Sequence, residues 1–489
     1  MESLKARGIR AFLWDLASKI GIKGTGLIIS VFLARLLEPS EFGLVAMVAV
    51  IIGISQIFMD VGLGGALIQR KRLHPAHYAS VFYFNVFVAL LLSLGTFFSA
   101  PYISAFYRNE TLVPLVEVMS VSFVITALSS VQRTRLRREL DYAALAKISF
   151  FSSLTSGVIG VILAVYGAGV WSLVAQTLSA GVITNMMIWT MSGWKPSCPF
   201  SVKALLQLWE FGFRMFISKL IDAVFTRLDF IIIGKLFPPA TLGFYERAKS
   251  LNSIAVQFSS GSLMTVLFPL LSKVQYNLPR LQHIVIKTLA ITSFVLFLIL
   301  GGLFVVSEEL IVILFSDKWL PSVAYFQILV LSGFGYPISA LFLNVLSSRG
   351  NSRAFLRLEI YQKSLLGINL YVGFLYGIEG YLYGLIAVSA LGVALSILFV
   401  SREIGLPYFT FIRPVMVQML IAVTSVSVTL SSVGPTALPD VAALFAKGLL
   451  FTAVYFLISL LFRTRSYLHF SEEVFPLIRQ VIQLGKVTR

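Results

Sequence analysis

Apolar stretches of roughly 20 residues recur along the whole chain, separated by short polar turns. Each is long enough to cross ~30 Å of hydrocarbon as a helix. The pattern predicts about fourteen spans, over 12–34, 42–64, 78–100, 113–131, 144–165, 171–191, 211–234, 242–270, 285–305, 322–346, 358–376, 381–401, 412–432 and 442–462. Charges interrupt the first and the seventh. The connections expected on the outer side are short, the longest lying near Val306–Pro321.

Composition agrees with this pattern. Of 489 residues 57% are hydrophobic and only 12% charged, about half the usual charged share of a soluble domain; mean hydropathy is +0.89. A soluble enzyme, a disordered tail and a secreted disulfide scaffold are all excluded, which leaves an all-α polytopic membrane protein. Cys198 is the single cysteine, so neither an intramolecular disulfide nor a cysteine-based metal site can form. Residues Met1 to Ile20 carry basic side chains but no small-residue cleavage site after an apolar core. They read as a retained, amphipathic start to the chain.

The 39 Lys and Arg against 22 Asp and Glu give a formal charge of +17, which invites a nucleic-acid reading. Sorting the basic residues by segment removes it. With the N-terminus inside, 26 fall on inner segments and tails, 5 on outer loops (Arg35, Arg108, Lys235, Lys318 and Lys447) and 8 within spans. That bias is the positive-inside rule and predicts both termini on the cytoplasmic side of the membrane. The Arg133–Arg138 run then reads as an orientation signal, compatible with contact to anionic inner-leaflet lipids, and no nucleic acid is expected as a partner. The chain has no G-x-x-x-x-G-K-[ST], H-E-x-x-H or G-x-S-x-G motif. His74 and His77 are separated by Pro75 and lack further clustered ligands, so no metal and no cofactor is expected.

Laid on itself at an offset of 200, the chain matches Ser18-Lys19 with Ser218-Lys219, Ala34-Arg35-Leu36 with Gly234-Lys235-Leu236, Pro39 with Pro239 and Gly43 with Gly243. A looser echo pairs Tyr166-Gly167 with Tyr376-Gly377. Two hundred residues hold six spans, an even number, so both copies share one orientation. The expected organisation is a six-helix lobe over 1–191, a cytoplasmic linker over 192–210, a second six-helix lobe over 211–402, and two extra helices with a tail over 403–489. Parallel repeats of this kind occur in transporters, with the substrate site between the halves.

Charges within the spans are expensive, roughly 2.5–3.5 kcal/mol each at mid-bilayer. On the first helix Asp15, Lys19 and Lys23 are spaced i, i+4, i+8 and form one stripe, continued by Gly26 and Ser30. On the seventh, Ser218, Lys219, Asp222, Thr226 and Asp229 form another, flanked by Arg227. The eighth adds Glu246, Arg247, Lys249, Asn252 and Gln257, the second Asp60, the third Asn85 and the eleventh Lys363. Intrahelical pairs such as Asp15–Lys19 and Lys219–Asp222 are one reading of these stripes. The surplus of bases over acids points to another, a hydrated cationic cavity that takes a phosphate-bearing substrate, with Lys19, Lys23, Lys219, Arg227, Arg247 and Lys249 as substrate-binding residues. Asp60, Asp222 and Asp229 are candidates for coupling to protons or sodium, or for structural roles.

The stretches Ala34–Gly43 (ARLLEPSEFG), Asp60–Arg70 (DVGLGGALIQR), Arg135–Ala144 (RLRRELDYAA), Gly169–Gln176 (GVWSLVAQ) and Arg227–Leu251 (RLDFIIIGKLFPPATLGFYERAKSL) resemble bacterial polysaccharide transporters. The similarity is to the group that includes the colanic acid exporter and the teichuronic acid flippase, in the multidrug/oligosaccharidyl-lipid/polysaccharide superfamily, and it runs along essentially the whole chain. It implies a MATE-like pair of six-helix lobes around a central cavity that alternates between inward-open and outward-open. It also implies an undecaprenyl-pyrophosphate-linked oligosaccharide as substrate, flipped to the outer leaflet for capsule, O-antigen or exopolysaccharide assembly. Membrane lipids are the remaining partners and the expected unit is a monomer. The resemblance carries over to Lys19, Lys23 and Arg247, the last in G-x-Y-x-R-A, kept as Gly243–Ala248. The family often places Asp-Asn on the seventh helix; Asp229-Phe230 departs from that. No bond chemistry is expected, so the chain reads as a transporter and not an enzyme. A multidrug/cation antiporter on the same fold would call for an acidic or aromatic cavity. A membrane glycosyltransferase or polymerase would call for catalytic residues and a large outer loop.

Overall fold

The computed structural model describes residues 24–433 and 439–473, apart from the side chains of residue 255 and residues 257–266. Among the described residues the regular structure is entirely helical. The chain divides into two compact units, Met1–Glu246 and Arg247–Arg489. The first contains α1 (Gly24–Leu36), α2 (Pro39–Asp60), α3 (Leu63–Gln69), α4 (Pro75–Tyr107), α5 (Leu112–Ser120), α6 (Ser122–Arg138), α7 (Tyr142–Val165), α8 (Val170–Met191) and α9 (Val202–Leu236). The unit boundary falls within α10 (Pro239–Lys273). The second unit continues with α11 (Leu278–Val305), α12 (Ser307–Phe315), α13 (Pro321–Ser332), α14 (Gly335–Ser348), α15 (Ser352–Leu375), α16 (Gly377–Ile404), α17 (Tyr408–Ser432) and α18 (Asp440–Leu461).

Nine of the described helical segments are long and apolar enough to cross a membrane. Helices also lie where the sequence places the sixth, seventh, eighth and eleventh spans, namely α8, α9, α10 and α15, 22 to 35 residues long. These four are less apolar because they carry Gln176, Thr184, Lys219, Asp222, Arg227, Arg247, Lys249 and Lys363.

Three predicted spans prove to be interrupted. Span 42–64 breaks after Asp60, where Val61 and Gly62 take φ of 42° and 70°. A β-branched residue there is strained by roughly 1–3 kcal/mol, and the Asp60 carboxylate secures the break by accepting the Gly64 N–H at 2.9 Å. Gly62 is required twice over, since a Cβ there would also run into the Gly212 carbonyl of α9. Span 113–131 is interrupted at Val121, between α5 and α6, and span 322–346 at Gly333-Phe334, between α13 and α14. At the second of these, Ser389 Oγ donates to the freed Ser332 carbonyl at 2.7 Å, so that acceptor stays paired at the break. The long outer connection near Val306–Pro321 is itself structured: α12 is followed by a 3-10 turn, Asp317–Trp319, with Phe315 and Trp319 fully buried.

The stretch expected as a linker is helical from Val202 onward. Ser201 caps it by accepting the Ala204 N–H at 3.3 Å, and Leu205 and Leu208 pack into a core with Leu63, Leu67, Phe82 and Val131. Arg70 fastens the same segment, donating to the Gln207 carbonyl at 2.8 Å and to Gln207 Oε1 at 2.6 Å. His77 Nε2 shares that amide oxygen at 3.0 Å, while its Nδ1 accepts the His74 N–H. In the second unit α17 packs along α11 and α18. The Tyr455 hydroxyl sits 3.0 Å from the Phe294 carbonyl and 2.8 Å from Gln418 Oε1, and Lys447, expected on an outer loop, lies on α18 and forms an ion pair with the buried Glu309 of α12.

The local devices of one stretch of chain recur in a later one. Leu36 and Pro39 end α1 and begin α2, as Leu236 and Pro239 end α9 and begin α10. Asp141 caps α7 by accepting the Ala144 N–H, as Asn351 caps α15 by accepting the Ala354 N–H. Left-handed residues Leu140 and Gly167 bracket α7, as Gly350 and Gly377 bracket α15. Arg138 donates to the Leu67 and Lys71 carbonyls, as Arg349 donates to the Gln275 carbonyl. The pairing slips from 200 residues in the first set to 210 or 211 in the later ones.

Candidate functional site

Helix α9 gathers most of the predicted site that can be described. At 35 residues it extends roughly 52 Å. Its polar positions fall on three adjoining strips. Lys219, Asp222 and Thr226 lie on an exposed strip. Asp229 lies to one side of it and is 5% exposed; Arg227 lies to the other and is half-buried.

Arg227 reaches α2 midway along that helix. Its Nη1 donates to the Ala49 carbonyl at 3.3 Å, and the guanidinium occupies a notch left by Gly53, where a Cβ would stand 2.6 Å from Arg227 Cζ. One of five donors is thus engaged. Among the described residues no carboxylate pairs with Arg227, and Lys219 has no partner either. A cation in a spanning segment that lacks a counter-charge favours an anionic ligand.

Asp229 is held differently. Its Oδ2 accepts the Tyr245 hydroxyl at 2.5 Å, Tyr245 is 1% exposed, and Phe230 closes on the Tyr245 ring edge-to-face. This buried carboxylate–phenol contact ties α9 to the first turns of α10. Asp60 is occupied at the α2–α3 break. Asp222 is exposed, and its backbone carbonyl accepts Thr226 Oγ1 at 2.6 Å. The structure therefore brings Arg227 and Asp229 to opposite flanks of one helix and puts Asp60 elsewhere on the same unit. Arg247 and Lys249 are half-buried and belong to the second unit. Lys19 and Lys23 lie outside the described residues. Asn85 serves a structural contact, its side-chain amide meeting Ser130 Oγ at 3.0 Å.

The sequence reading passed over a second feature. A cavity of about 620 Å³ lies between α6, α7 and α8 of the first unit. Arg133 and Arg137, one helical turn apart, stand at its basic end. Ser149, Ser152, Ser153 and Ser156 line one wall, and Gln176 and Thr184 the opposite one. The basic run 133–138 thus divides by helical face. Arg135 pairs with Glu139 at 2.7 Å and Arg138 binds backbone carbonyls, while Arg133 and Arg137 face the cavity without a carboxylate partner among the described residues. The signal in the sequence was the serine spacing i, i+3, i+4, i+7 on the segment after the arginines, a hydroxyl stripe on one face of an otherwise apolar helix.

The comparisons with known proteins fit this architecture. The chain is 26% identical over 427 residues to the lipopolysaccharide biosynthesis protein WzxC of Escherichia coli (strain K12), covering 85% of this chain and 82% of that one. It is 27% identical over 308 residues to the succinoglycan biosynthesis transport protein ExoT of Rhizobium meliloti (strain 1021), covering 63% of this chain and 62% of that one. Among solved structures, the lipid II flippase MurJ in an inward closed conformation shares the fold, with a TM-score of 0.71 at 14% identity over 92% of this chain and 99% of that one. The polysaccharide biosynthesis protein family matches residues 32–324, more than half of the sequence. A multi-pass helical protein with this fold and this extent of similarity belongs to the polysaccharide biosynthesis protein family.

Proposed function

We propose that this protein moves an undecaprenyl-pyrophosphate-linked oligosaccharide across the bacterial inner membrane, delivering it to the outer leaflet for assembly of a capsule, O-antigen or exopolysaccharide. The observation that carries the reading is Arg227, a guanidinium with no carboxylate partner among the described residues, set into the Gly53 notch midway along α2, with Lys219 about 12 Å away on the same helix. Diphosphate is the mobile anion that such cations fit.

Fourteen spans, arranged as two parallel six-helix lobes with two extra C-terminal helices, place both termini in the cytoplasm. The recurrent caps, breaks and Arg-to-carbonyl contacts support that repeat. Lys19, Lys23, Lys219, Arg227, Arg247 and Lys249 are the residues assigned to the diphosphate, along a polar path open to one side of the membrane at a time. The sugar head group crosses through it while the prenyl chain stays in lipid. Of the three carboxylates, Asp222 is the exposed one and is the coupling group this geometry favours for a proton or sodium ion. Asp60 and Asp229 hold helix junctions. The protein acts as a monomer and makes or breaks no covalent bond. Arg227 and Lys219, without a carboxylate partner among the described residues, favour this reading over a cation antiporter.

The test is flipping of a fluorescent undecaprenyl-pyrophosphate-linked oligosaccharide in liposomes containing the purified protein. Lys219→Gln and Arg227→Gln are expected to lower the rate by at least about tenfold each, with Arg227→Lys also impaired because a point charge does not reproduce the planar fork. Full flipping by the Lys219→Gln/Arg227→Gln protein, inserted and folded as the parent, would sink the assignment.

A further inference from the structure

The α6–α7–α8 cavity is not needed to explain the cations on α9, and nothing about its position follows from them. We propose that it is a separate binding site for a phosphate group bearing a sugar: Arg133 and Arg137 take the phosphate, and the hydroxyl wall of α7 with Gln176 of α8 takes the sugar.

Charge supplies the first half of the case. Two guanidinium groups at i and i+4 repel each other, and no described carboxylate offsets them, although Glu139 lies within reach of the same run and is already paired with Arg135. Two planar donor forks converging on one cavity suit a phosphate, which accepts several charge-assisted bonds at once. Hydroxyl chemistry supplies the second half. Ser152 is spent inside the fold, donating to the Ala180 carbonyl at 2.6 Å and meeting Thr184 Oγ1 at 2.8 Å, and Ser156 donates to the Ser153 carbonyl at 3.1 Å. Ser149 and Ser153, on the same wall, have side-chain hydroxyls with no hydrogen-bond partner among the described residues. Gln176 likewise keeps its amide for the cavity, its stem packed on Gly160. Unengaged hydroxyls and an amide arranged around a volume of about 620 Å³ are the small set of placed polar groups that a ligand pocket of roughly 300–1,000 Å³ uses for orientation. From Arg137 at the basic end, the wall runs along α7 from Tyr142 to Ser156, about 21 Å. A bound head group would therefore extend from one end of the span to beyond its middle. The natural ligand rests on the proposed function, where it is the lipid-linked glycan; the chemistry of the site does not.

The experiment uses the full chain in phosphatidylcholine nanodiscs, with Cys198→Ala removing the native thiol and Ser153→Cys reporting on the cavity. This variant retains every charge and hence the orientation signals. Labelling of Ser153→Cys by a charged methanethiosulfonate is expected to slow by roughly tenfold in saturating glucose 1-phosphate, and less in inorganic phosphate or in glucose alone. Adding Arg133→Gln and Arg137→Gln is expected to abolish that protection, each protein's rate in glucose 1-phosphate being compared with its own unliganded rate. Equal labelling with and without glucose 1-phosphate would overturn the proposal. So would protection that survives loss of both arginines, or protection by phosphatidylglycerol nanodiscs that glucose 1-phosphate does not reproduce, which would make the cavity a phospholipid site. Protection without flipping of lipid-linked oligosaccharide would leave this site standing and remove the transport reading; flipping without protection would do the reverse.

Discussion

Arg227 and Gly53 show how much one missing side chain can set. The glycine opens a notch on α2 in which the guanidinium lies against the Ala49 carbonyl. A methyl at residue 53 would overlap the end of a long, flexible side chain rather than backbone, so Arg227 can swing away at little cost. Gly53→Ala is therefore expected to change stability by less than about 1 kcal/mol, since helix propensity favours Ala and overpacking is relieved by rotation. Transport should nevertheless fall severalfold, because the cation no longer sits where the fold holds it. Thermal unfolding in detergent, read beside the liposome flipping rate, checks the two halves separately. A variant that lost both together would mean that the notch is a packing feature only. The same logic separates the four arginines of 133–138: identical residue types within six positions act as ion-pair partner, carbonyl donor or cavity lining according to the face on which each falls.

Between helices, the most informative contact is the crossing of α2 and α10 at their first turns. A Cβ at Gly43 would meet the Pro239 carbonyl, and a Cβ at Gly243 would meet the Pro39 carbonyl. The two Pro-x-x-x-Gly starts pack reciprocally, each glycine under the other's first carbonyl. This gives the Pro39/Pro239 and Gly43/Gly243 matches a physical cause, since close approach of two helix backbones requires small residues on both sides. Gly43→Ala and Gly243→Ala are each expected to cost about 1–3 kcal/mol by overpacking. The double variant should cost clearly less than the sum, because helices pushed apart by one methyl have room for the other. Additive losses in thermal unfolding would mean that the glycines answer to different neighbours. Breaks within spans belong to this scale too: Asp60 and Ser389 supply the hydrogen bonds that the interrupted backbone gives up.

For the whole molecule, the sequence assigns most of the excess positive charge to orientation. Its asymmetry predicts the C-terminal end of the chain inside. Green fluorescent protein fused after Arg489 should fluoresce in cells, and alkaline phosphatase fused at the same place should be inactive, whereas phosphatase inserted in the Gly167–Gly169 turn should be active. An active C-terminal phosphatase would reverse the assigned orientation. Arg70, Arg138 and Arg349 carry a second duty, fastening inter-helix loops by donating to backbone groups. Their removal is for that reason a poor test of topology.

Sequence alone located most of the long helices among the described residues, the charges they carry and the family resemblance. Hydropathy reports the transfer of a segment from water to lipid, a sum over that segment's own residues. It does not report which neighbour a polar group meets. Asp229 and Asp222 read alike on the seventh span, yet one is locked to Tyr245 and the other exposed. The interruptions at Val61-Gly62, Val121 and Gly333-Phe334 were invisible because a helix break costs an apolar segment none of its hydropathy. Most of the candidate site on α9 could be named in advance from charges that lipid would not tolerate. The α6–α7–α8 cavity could not, because serine is nearly neutral to insertion and its meaning comes from what faces it. That choice of partner, hydroxyl wall against arginine pair, was made by packing and was open until the helices had neighbours.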